Sequence, residues 1–399
     1  MYDPSIWYSI PYAIVVAVFF SLYLYEATER KYYRILNIVP ATKLYIFIFF
    51  MIFVGLRGFV FTDWINYIQV FRNTPTFPFF DWGDRSIGSM EYGFIFLIKL
   101  VKKFSDNYFV FVFISTLIDF ILIYIIFKNE KSFALCMLFY YIFSTGGPGF
   151  RIEFNLMRNV KSILLFTISL KYIKENNFIK YLFLNVIGCF FHISALLYIP
   201  MYFFLKRDIL IKHSLLLFVI GNIFYIFQIR WMHGVLNILA DIIGGRLGFL
   251  LNVYIESETY SSAYGLNMAF FQKVISYAII KSNEKKLLKS SDNVIYMNIF
   301  YMFIILNGFF SEMMIFIIRI TMLFVMGYWI IFPRLYFLLS KKKKIIFLIG
   351  ILLFGIVKMS VPSQIQFRYD NILFGYQSES ERTRILRQVE IYNFRNNKR

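Results

Sequence analysis

The chain has 399 residues, of which 59% are hydrophobic, 22% aromatic and only 16% charged, and its formal net charge is +19. Soluble domains carry about a quarter charged residues and cannot bury apolar runs that recur along a whole chain, so a water-soluble fold is excluded. The lysines and arginines lie mostly in short loops between these runs, as in the cytoplasmic loops of membrane proteins, and this distribution argues against a nucleic-acid partner.

Apolar runs that approach the roughly 20 residues of a transmembrane helix begin near the N-terminus. In the first half of the chain they predict spans over residues 6–25, 44–56, 108–127, 133–143 and 160–173. Residues 92–104 contain Lys99, Lys102 and Lys103, which predicts an interfacial or partly inserted helix. Basic residues after the first run place the N-terminus outside, so the polar residues 58–91 are predicted to form a first outer loop.

Residues 178–205 are too long for one upright span and short for two. Basic residues flank both ends, among them Lys180 and Lys206, which favours a hairpin of two shortened helices with His192 near the turn. A single long tilted helix is the alternative.

The second half of the chain continues the pattern, with predicted spans over residues 215–229, 267–280, 294–309, 313–331 and 345–357. Residues 230–266 are predicted to form a second outer loop, and residues 360–399 a polar, basic C-terminal tail that also lies outside. The sequence thus predicts an all-α, polytopic integral membrane protein, a single transmembrane domain over residues 1–399 with about 11–13 transmembrane helices.

Arginines at the outer ends of predicted spans are the main indication of function. Arg57, Arg151 and Arg158 have this position, and Arg151 and Arg158 share a face if the stretch between them is helical. Arginine keeps its charge and offers a forked set of donors that matches phosphate oxygens. These residues therefore predict binding of a diphosphate or another polyanion, and the alternative is snorkelling to lipid headgroups.

Arg319 lies in the middle of the predicted span 313–331. An arginine at the centre of a span costs about 2.5–3.5 kcal/mol on insertion scales, so it needs a partner or a ligand. An ion pair with Glu312 or Asp119 is one explanation, and a role beside the other arginines in binding an anion is the second.

Three side chains are candidate proton acceptors. His192 lies at the predicted turn, and Asp63 and Glu153 each lie in an outer segment beside an arginine. Cys136 and Cys189 lie in apolar runs, which argues against a disulfide. The histidines are scattered, and neither a glycine-rich phosphate loop nor an Asp-x-Asp triplet occurs, so no metal ion and no cofactor are expected.

Several short motifs resemble one known family. Gly55-Leu56-Arg57, followed by Asp63 and Tyr67, resembles the G-x-R…D-x-x-x-Y pattern that begins the first outer loop of the EpsG-like, Wzy-type polysaccharide polymerases. The run from Phe191 to Ala195 resembles their F-H-x-S-A motif.

Other positions extend the resemblance over most of the chain. Glu91-Tyr92-Gly93-Phe94 is similar to the start of the family's next helix, and Arg319 to an arginine in a late span. Arg158 is similar to the arginine that opens an R-Q-x-x-A helix, although Asn159 and Ser162 stand in place of Gln and Ala.

The resemblance implies a membrane glycosyltransferase (GT-C-like) architecture in the bacterial inner (cytoplasmic) membrane. Such proteins join oligosaccharide repeat units carried on undecaprenyl diphosphate into O-antigen, capsule or exopolysaccharide at the outer face. In this chain Arg57, Arg151, Arg158 and Arg319 would hold the diphosphate leaving group, and Asp63, His192 or Glu153 would be the base. A flippase and a chain-length regulator are implied as partners.

Three other functions stay open on the sequence. A membrane-embedded, lipid-dependent glycosyltransferase would use paired acids in the first outer loop, for which Asp81 and Asp84 are loose candidates. An O-antigen ligase would share the arginines and the base. A lipid-linked oligosaccharide flippase or another transporter would also need a cationic cavity, but transporters often consist of two related halves and none are found here.

Overall fold

The computed structural model describes residues 5–36, 41–77, 90–144, 149–256, 265–360 and 364–396. Within these ranges the chain is helical, and β-pairing is limited to isolated bridges that join Asn371 to Arg57 and Gly375. The predicted all-α class is confirmed. The chain divides into two compact units, which we call the first unit (Met1–Ile199 with Leu339–Arg399) and the second unit (Pro200–Leu338).

The first unit begins with nine α-helices in the described residues: α1 (Ile10–Leu36), α2 (Thr42–Phe50), α3 (Trp64–Asn73), α4 (Tyr92–Lys102), α5 (Tyr108–Phe127), α6 (Phe133–Ile142), α7 (Arg151–Asn155), α8 (Met157–Lys174) and α9 (Phe178–Phe191). All ten residues of α6 are buried, because this helix is apolar on every face. Glu26 of α1 satisfies the first turn of α6 by accepting hydrogen bonds from the N–H groups of Phe133 (2.9 Å) and Ala134 (3.2 Å).

The second unit consists of α10 (Met201–Phe204), α11 (Ile209–Phe227), α12 (Trp231–Ile243), α13 (Gly245–Glu256), α14 (Met268–Ser282), α15 (Glu284–Leu287), α16 (Asp292–Phe309), α17 (Met314–Arg319) and α18 (Met326–Leu338). The chain then returns to the first unit with α19 (Lys341–Ser360) and α20 (Glu379–Asn396). Helices α12 and α13 occupy most of the predicted second outer loop, so the described part of that segment is helical.

Four helical stretches in the described residues are long and apolar enough to cross a membrane: Ile10–Arg30, Tyr108–Phe127, Ile209–Phe227 and Thr321–Leu338. Shorter apolar helices accompany them at Thr42–Gly55, Phe133–Ile142, Phe178–Phe191, Ile193–Phe204 and Trp231–Ile243. The polytopic membrane class is confirmed. The count of about 11–13 spans is not reached by these helices and stays a prediction.

The chain reverses its direction at His192. Helix α9 ends at Phe191, and a 3₁₀ segment over Ile193–Tyr198 runs back along it, since the hydroxyl of Tyr181 near the start of α9 donates to the carbonyl of Tyr198. Residues 178–198 therefore form a hairpin with His192 at its turn, as the flanking charges favoured, and a single tilted helix over this stretch is excluded.

The C-terminal residues are folded against the first unit. The N–H of Gly58 donates to the carbonyl of Asp370 (2.9 Å), and Nε of Arg382 in α20 donates to the carboxylate of Asp370 (3.2 Å). Leu386 of α20 belongs to the same hydrophobic cluster as the buried face of α3. The described part of the predicted tail is thus a structural element of the first unit, and its location outside the membrane stays a prediction.

Candidate functional site

A helix break at Leu156 divides the segment that holds most of the predicted site. Helix α7 ends before Leu156 and α8 begins after it, because the backbone of Leu156 (φ −115°, ψ 40°) lies outside the helical region. Arg151 is the first residue of α7, whereas Arg158 is the second residue of α8. The stretch between the two arginines is therefore not one helix, so the condition under which they were expected to share a face is not met.

Two side chains explain the break by occupying carbonyls that a continuous helix would use. Nη2 of Arg57 donates to the carbonyl of Glu153 (3.2 Å), and the hydroxyl of Tyr67 donates to the carbonyl of Asn155 (2.8 Å). In an uninterrupted α-helix these carbonyls would accept from N–H groups four residues later. Arg57 and Tyr67 both belong to the G-x-R…D-x-x-x-Y pattern, so this pattern holds the α7–α8 junction open.

The hydrogen-bond donors of Arg57 are directed mostly at protein groups. Its side chain is buried, and Nη1 donates to the carbonyl of Val54 (2.6 Å) and to the hydroxyl of Thr116 (3.4 Å). The guanidinium also lies over the ring of Phe154, with 5.1 Å between its carbon and the ring centroid. Diphosphate binding by Arg57 stays a prediction, and the contacts shown here make it an internal brace.

A buried charge cluster lies beside this brace, and we define it as Lys161, Asp119, Glu153 and their hydroxyl partners. Nζ of Lys161 donates to the carboxylate of Asp119 (2.8 Å) and to the hydroxyl of Ser115 (2.8 Å), with both charged side chains almost completely buried. The carboxyl group of Glu153 accepts a hydrogen bond from the Tyr140 hydroxyl and lies within electrostatic reach of Asp119. Glu153 is therefore inaccessible to a bulky substrate in this conformation.

A second, half-open cluster lies at the start of α8. Arg158 forms an ion pair with Glu91, and their side chains are 20% and 17% exposed. The other oxygen of Glu91 accepts from the N–H of Ile193 (3.2 Å), beside the hairpin turn. Gly93 permits this approach of α4 to α9, because a Cβ atom there would lie 2.7 Å from the carbonyl oxygen of Phe190.

His192 joins the half-open cluster through Ser194 and Asn159. The N–H of Ser194 donates to Nδ1 of His192 (3.2 Å), and the Ser194 hydroxyl donates to the side-chain oxygen of Asn159 (3.2 Å). The same Nδ1 atom also lies 2.7 Å from the hydroxyl oxygen of Ser194. We define Glu91, Arg158, Asn159, His192 and Ser194 as the half-open cluster.

Asp63 lies close to the same junction. It is half-buried at the N-terminal boundary of α3, and one of its oxygens accepts from the hydroxyl of Thr62 (3.0 Å). The side-chain amide of Asn155, the last residue of α7, donates to that same hydroxyl (3.1 Å). The structure thus brings the predicted site residues of the first unit to the α7–α8 junction.

Arg319 differs from its prediction. Helix α17 ends at Arg319, and the candidate span begins only at Thr321, so Arg319 precedes the span instead of lying at its centre. This position avoids the cost of an unpaired guanidinium in the middle of a span. Its two suggested partners pair elsewhere, Asp119 with Lys161 and Glu312 with His233, and Arg319 forms no hydrogen bond or ion pair in the part of the chain that the structure describes.

Sequence analysis missed Lys161 and His233. Lys161 is a charge inside the predicted span 160–173, which is the same indication that drew attention to Arg319. The paired acids Asp81 and Asp84 lie outside the described residues. In the described ranges, no three His, Cys, Asp or Glu side chains gather closely enough to hold a metal ion.

The EpsG family model matches residues 41–378. The chain therefore belongs to the EpsG family, and the resemblance drawn from its motifs is confirmed. The matched range contains the α7–α8 junction, the hairpin and Arg319, and it ends just before α20. No curated protein and no solved structure shows a significant match to the chain. Family membership and the apolar helices indicate a membrane protein of polysaccharide biosynthesis.

Proposed function

We propose that this protein is a polysaccharide polymerase of the bacterial inner membrane. It would move a growing glycan from undecaprenyl diphosphate onto the end of a new lipid-linked repeat unit at the outer face. The observation that carries the proposal is the half-open cluster. Side chains from three separate segments, at Glu91, Arg158 and His192, meet in one hydrogen-bonded group, and each belongs to a motif of the family.

The chemistry of this cluster suits a diphosphate. Arg158 supplies a permanent positive charge with forked donors. Helix α8 has no side-chain cap, so the N–H groups of its first turn and its positive dipole end can add to the attraction for an anion. Together these groups would stabilise the charge that develops on the diphosphate as it leaves.

Arg151, Arg319 and Arg57 are the other arginines that the sequence predicts to bind the diphosphate. Arg151 begins α7 beside the junction, and Arg319 is exposed on the second unit without an ion-pair partner among the described residues. Arg57 would act by holding the α7–α8 junction, since its donors are directed at protein carbonyls.

Of the three bases expected from sequence, we favour Asp63. Glu153 is buried, and Nδ1 of His192 is in hydrogen-bond contact with the backbone N–H and the hydroxyl of Ser194. Asp63 is half-buried, and a carboxylate has the capacity to accept the proton of an acceptor hydroxyl. A flippase would supply the substrate, and a chain-length regulator would act on the product.

The test is an assay with purified protein and the undecaprenyl-diphosphate-linked repeat unit extracted from the source cells. No nucleotide sugar and no divalent metal are added, and products are separated on a gel. A ladder spaced by one repeat unit is expected. Intact substrate that only changes leaflet would indicate a flippase, and a single transfer to another acceptor would indicate a ligase.

A further inference from the structure

Helix α12 of the second unit begins directly after a helix that can cross a membrane. The candidate span in α11 ends at Phe227, Gln228 takes a left-handed backbone conformation (φ 49°), and α12 begins at Trp231. Because only residues 228–230 separate the two helices, the first turn of α12 lies close to the point where α11 leaves the hydrocarbon region. This turn is also the start of the predicted second outer loop.

The end of a neighbouring helix holds α12 at this level. Helix α16 packs alongside α11, so closely that a Cβ atom added to Gly308 would lie 2.7 Å from the α11 backbone. The indole N–H of Trp231 donates to the carbonyl of Phe309, the last residue of α16 (2.8 Å). The carboxylate of Glu312 accepts from the N–H of Met232 (2.8 Å) and so satisfies the first turn of α12. The start of α12 is thus attached at the ends of α11 and α16.

One face of α12 packs on protein, and a polar stripe runs beside it. The buried residues recur every four positions: Met232, Leu236 and Ala240. Polar residues follow each of them by one position, which is a rotation of about 100° around the helix axis: His233, Asn237 and Asp241. The side chain of His233 is 24% exposed, and the other two residues are classed as exposed. This polar stripe therefore extends along most of the helix.

The remaining face of α12 is apolar and exposed, and we call it the exposed apolar face. Its members follow the i, i+3, i+4, i+7 spacing of a single helix face, and they are between 41% and 74% exposed: Val235, Ile238, Leu239 and Ile242. Helix α13, which approaches α12 closely at Gly248, exposes Phe249 (66%) and Val253 (43%) as well. Contiguous apolar surface of this kind indicates a membrane or protein partner.

Length and pattern argue against an upright span for α12. Its 13 residues rise about 20 Å, which is short of the roughly 30 Å of hydrocarbon. An upright helix would also carry the polar stripe through the hydrocarbon, where polar groups are costly. A helix that lies in the plane of the interface avoids both problems, because its apolar face contacts acyl chains while its polar face contacts headgroups and water. Trp231 at its start fits this position, since tryptophan is enriched at membrane interfaces.

We propose that α12 is an interfacial helix, bound by the lipid leaflet in which α11 ends. The exposed apolar face lies among the acyl chains, and the polar stripe faces the headgroups. The partner is the bilayer itself, because α12 continues directly from a helix that crosses it. The predicted second outer loop thus begins with a membrane-bound element that keeps the second unit at a fixed depth. This interaction does not depend on the proposed polymerase function.

The experiment measures the depth of a bimane label on single cysteines, in full-length protein reconstituted into vesicles of phosphatidylcholine and phosphatidylglycerol. Cys136 is fully buried, so C189S serves as the background. V235C and I242C lie on the exposed apolar face seven residues apart, which is about 10 Å along the helix. Quenching by lipids that carry spin labels at two acyl-chain depths should place both labels at the same depth, just below the headgroups.

A pair of positions in α11 is the matched control. L216C and I223C are also seven residues apart and exposed, but they lie in a helix that crosses the membrane, so their depths should differ by about 10 Å. N237C and D241C test the polar stripe, and their labels should be quenched by iodide in the water more strongly than by the lipid spin labels. All these side chains are exposed, so the variants should fold.

Two results would overturn the proposal. A depth difference between V235C and I242C as large as that in α11 would mean that α12 enters the membrane upright. Absence of lipid quenching at both positions would mean that protein, such as a second copy of the chain, covers the exposed apolar face. Both results are independent of elongation, so a protein that forms no ladder would refute the polymerase and leave the interfacial helix intact.

Discussion

The buried charge cluster and the half-open cluster both include residues of α8 that follow the helix break at Leu156, and both contain an ion pair. Lys161 and Asp119 are 0% and 3% exposed. The ammonium group of Lys161 donates to three protein groups, whereas one carboxylate oxygen of Asp119 has no hydrogen-bond partner in the described part of the chain. Arg158 and Glu91 are 20% and 17% exposed, and Nε of Arg158 has no hydrogen-bond partner. The two ion pairs therefore differ in their surroundings: the buried pair is closed off from solvent, whereas the half-open pair is partly exposed and retains an unused donor.

The difference between the two ion pairs shows what can be inferred from a charged residue in an apolar helix. A charge in a span is costly wherever it lies, so its presence alone marks a structural pair as readily as a binding site. Exposure and unused donors distinguish the two cases. Two results would contradict this distinction: a buried charge whose loss changes activity but not stability, or a half-open charge whose loss changes stability but not activity.

The largest expected loss of stability follows from a substitution in the buried charge cluster. Lys161→Met leaves the Asp119 carboxylate buried without a counter-charge, and breaking a buried pair in this way costs about 3–5 kcal/mol. Unfolding in detergent can be followed with a thiol-reactive dye at Cys136, which is fully buried, in a C189S background. The double variant K161M/D119L should recover much of the loss, since no charge is then left unpaired. A double variant no more stable than K161M would contradict the pairing.

The fold was predictable from sequence further than the site was. Helix α5 spans Tyr108–Phe127, the residues predicted, and the His192 hairpin followed from charge at both of its ends. Both features depend on composition that is local in the chain. The break between Arg151 and Arg158 was not predictable in this way.

That break depends on hydrogen bonds from distant residues. Arg57 and Tyr67 reach the α7 carbonyls across 96 and 88 positions of sequence. Residues 151–158 by themselves favour a continuous helix, and tertiary contacts override that preference. Arg319 was misplaced for a related reason, because hydropathy over residues 313–331 does not reveal that α17 ends at the charge.

The second prediction tests function at the two arginines of the junction. Arg158→Ala should slow elongation about 10²–10³-fold, equivalent to about 2.7–4 kcal/mol of transition-state stabilisation, while lowering fold stability by only about 1 kcal/mol. Arg57→Ala should lower the rate and the stability together, because it removes the donors that hold the break. Elongation per folded protein and the unfolding midpoint are measured for both variants.

Arg158→Lys serves as the control for this pair. Lysine keeps the charge beside Glu91 but loses the forked donors, so it should keep the fold and recover only part of the rate. If Arg57→Ala and Arg158→Ala proved indistinguishable in both measurements, the division between brace and ligand site would be wrong.

The third prediction concerns the frame of the half-open cluster. Gly93→Ala places a Cβ atom 2.7 Å from the Phe190 carbonyl, so α4 must shift and stability should fall by about 1–3 kcal/mol. Gly350→Ala in α19 is the matched control, because no atom lies within 4 Å of its added Cβ. Alanine in a helix interior is preferred over glycine, so this control should be neutral or stabilising by up to about 1 kcal/mol. Equal losses at both positions would mean that the close approach of α4 and α9 is not needed.

The smallest effect is expected where charges are most exposed, at the ion pair between Arg72 of α3 and Glu379 of α20. Its side chains are 57% and 34% exposed, although the Nη1 atom donates over a good distance of 2.8 Å. Solvent screens such pairs, so Arg72→Ala should cost at most about 1 kcal/mol, and less at high salt. Arg382→Met, at the 2% exposed partner of Asp370, should cost several times more at the same end of the chain. Unfolding of both variants at low and high salt gives four values. If burial determines how much a charge contributes to stability, the destabilisation by Arg72→Ala will vanish as salt rises, whereas that by Arg382→Met will remain.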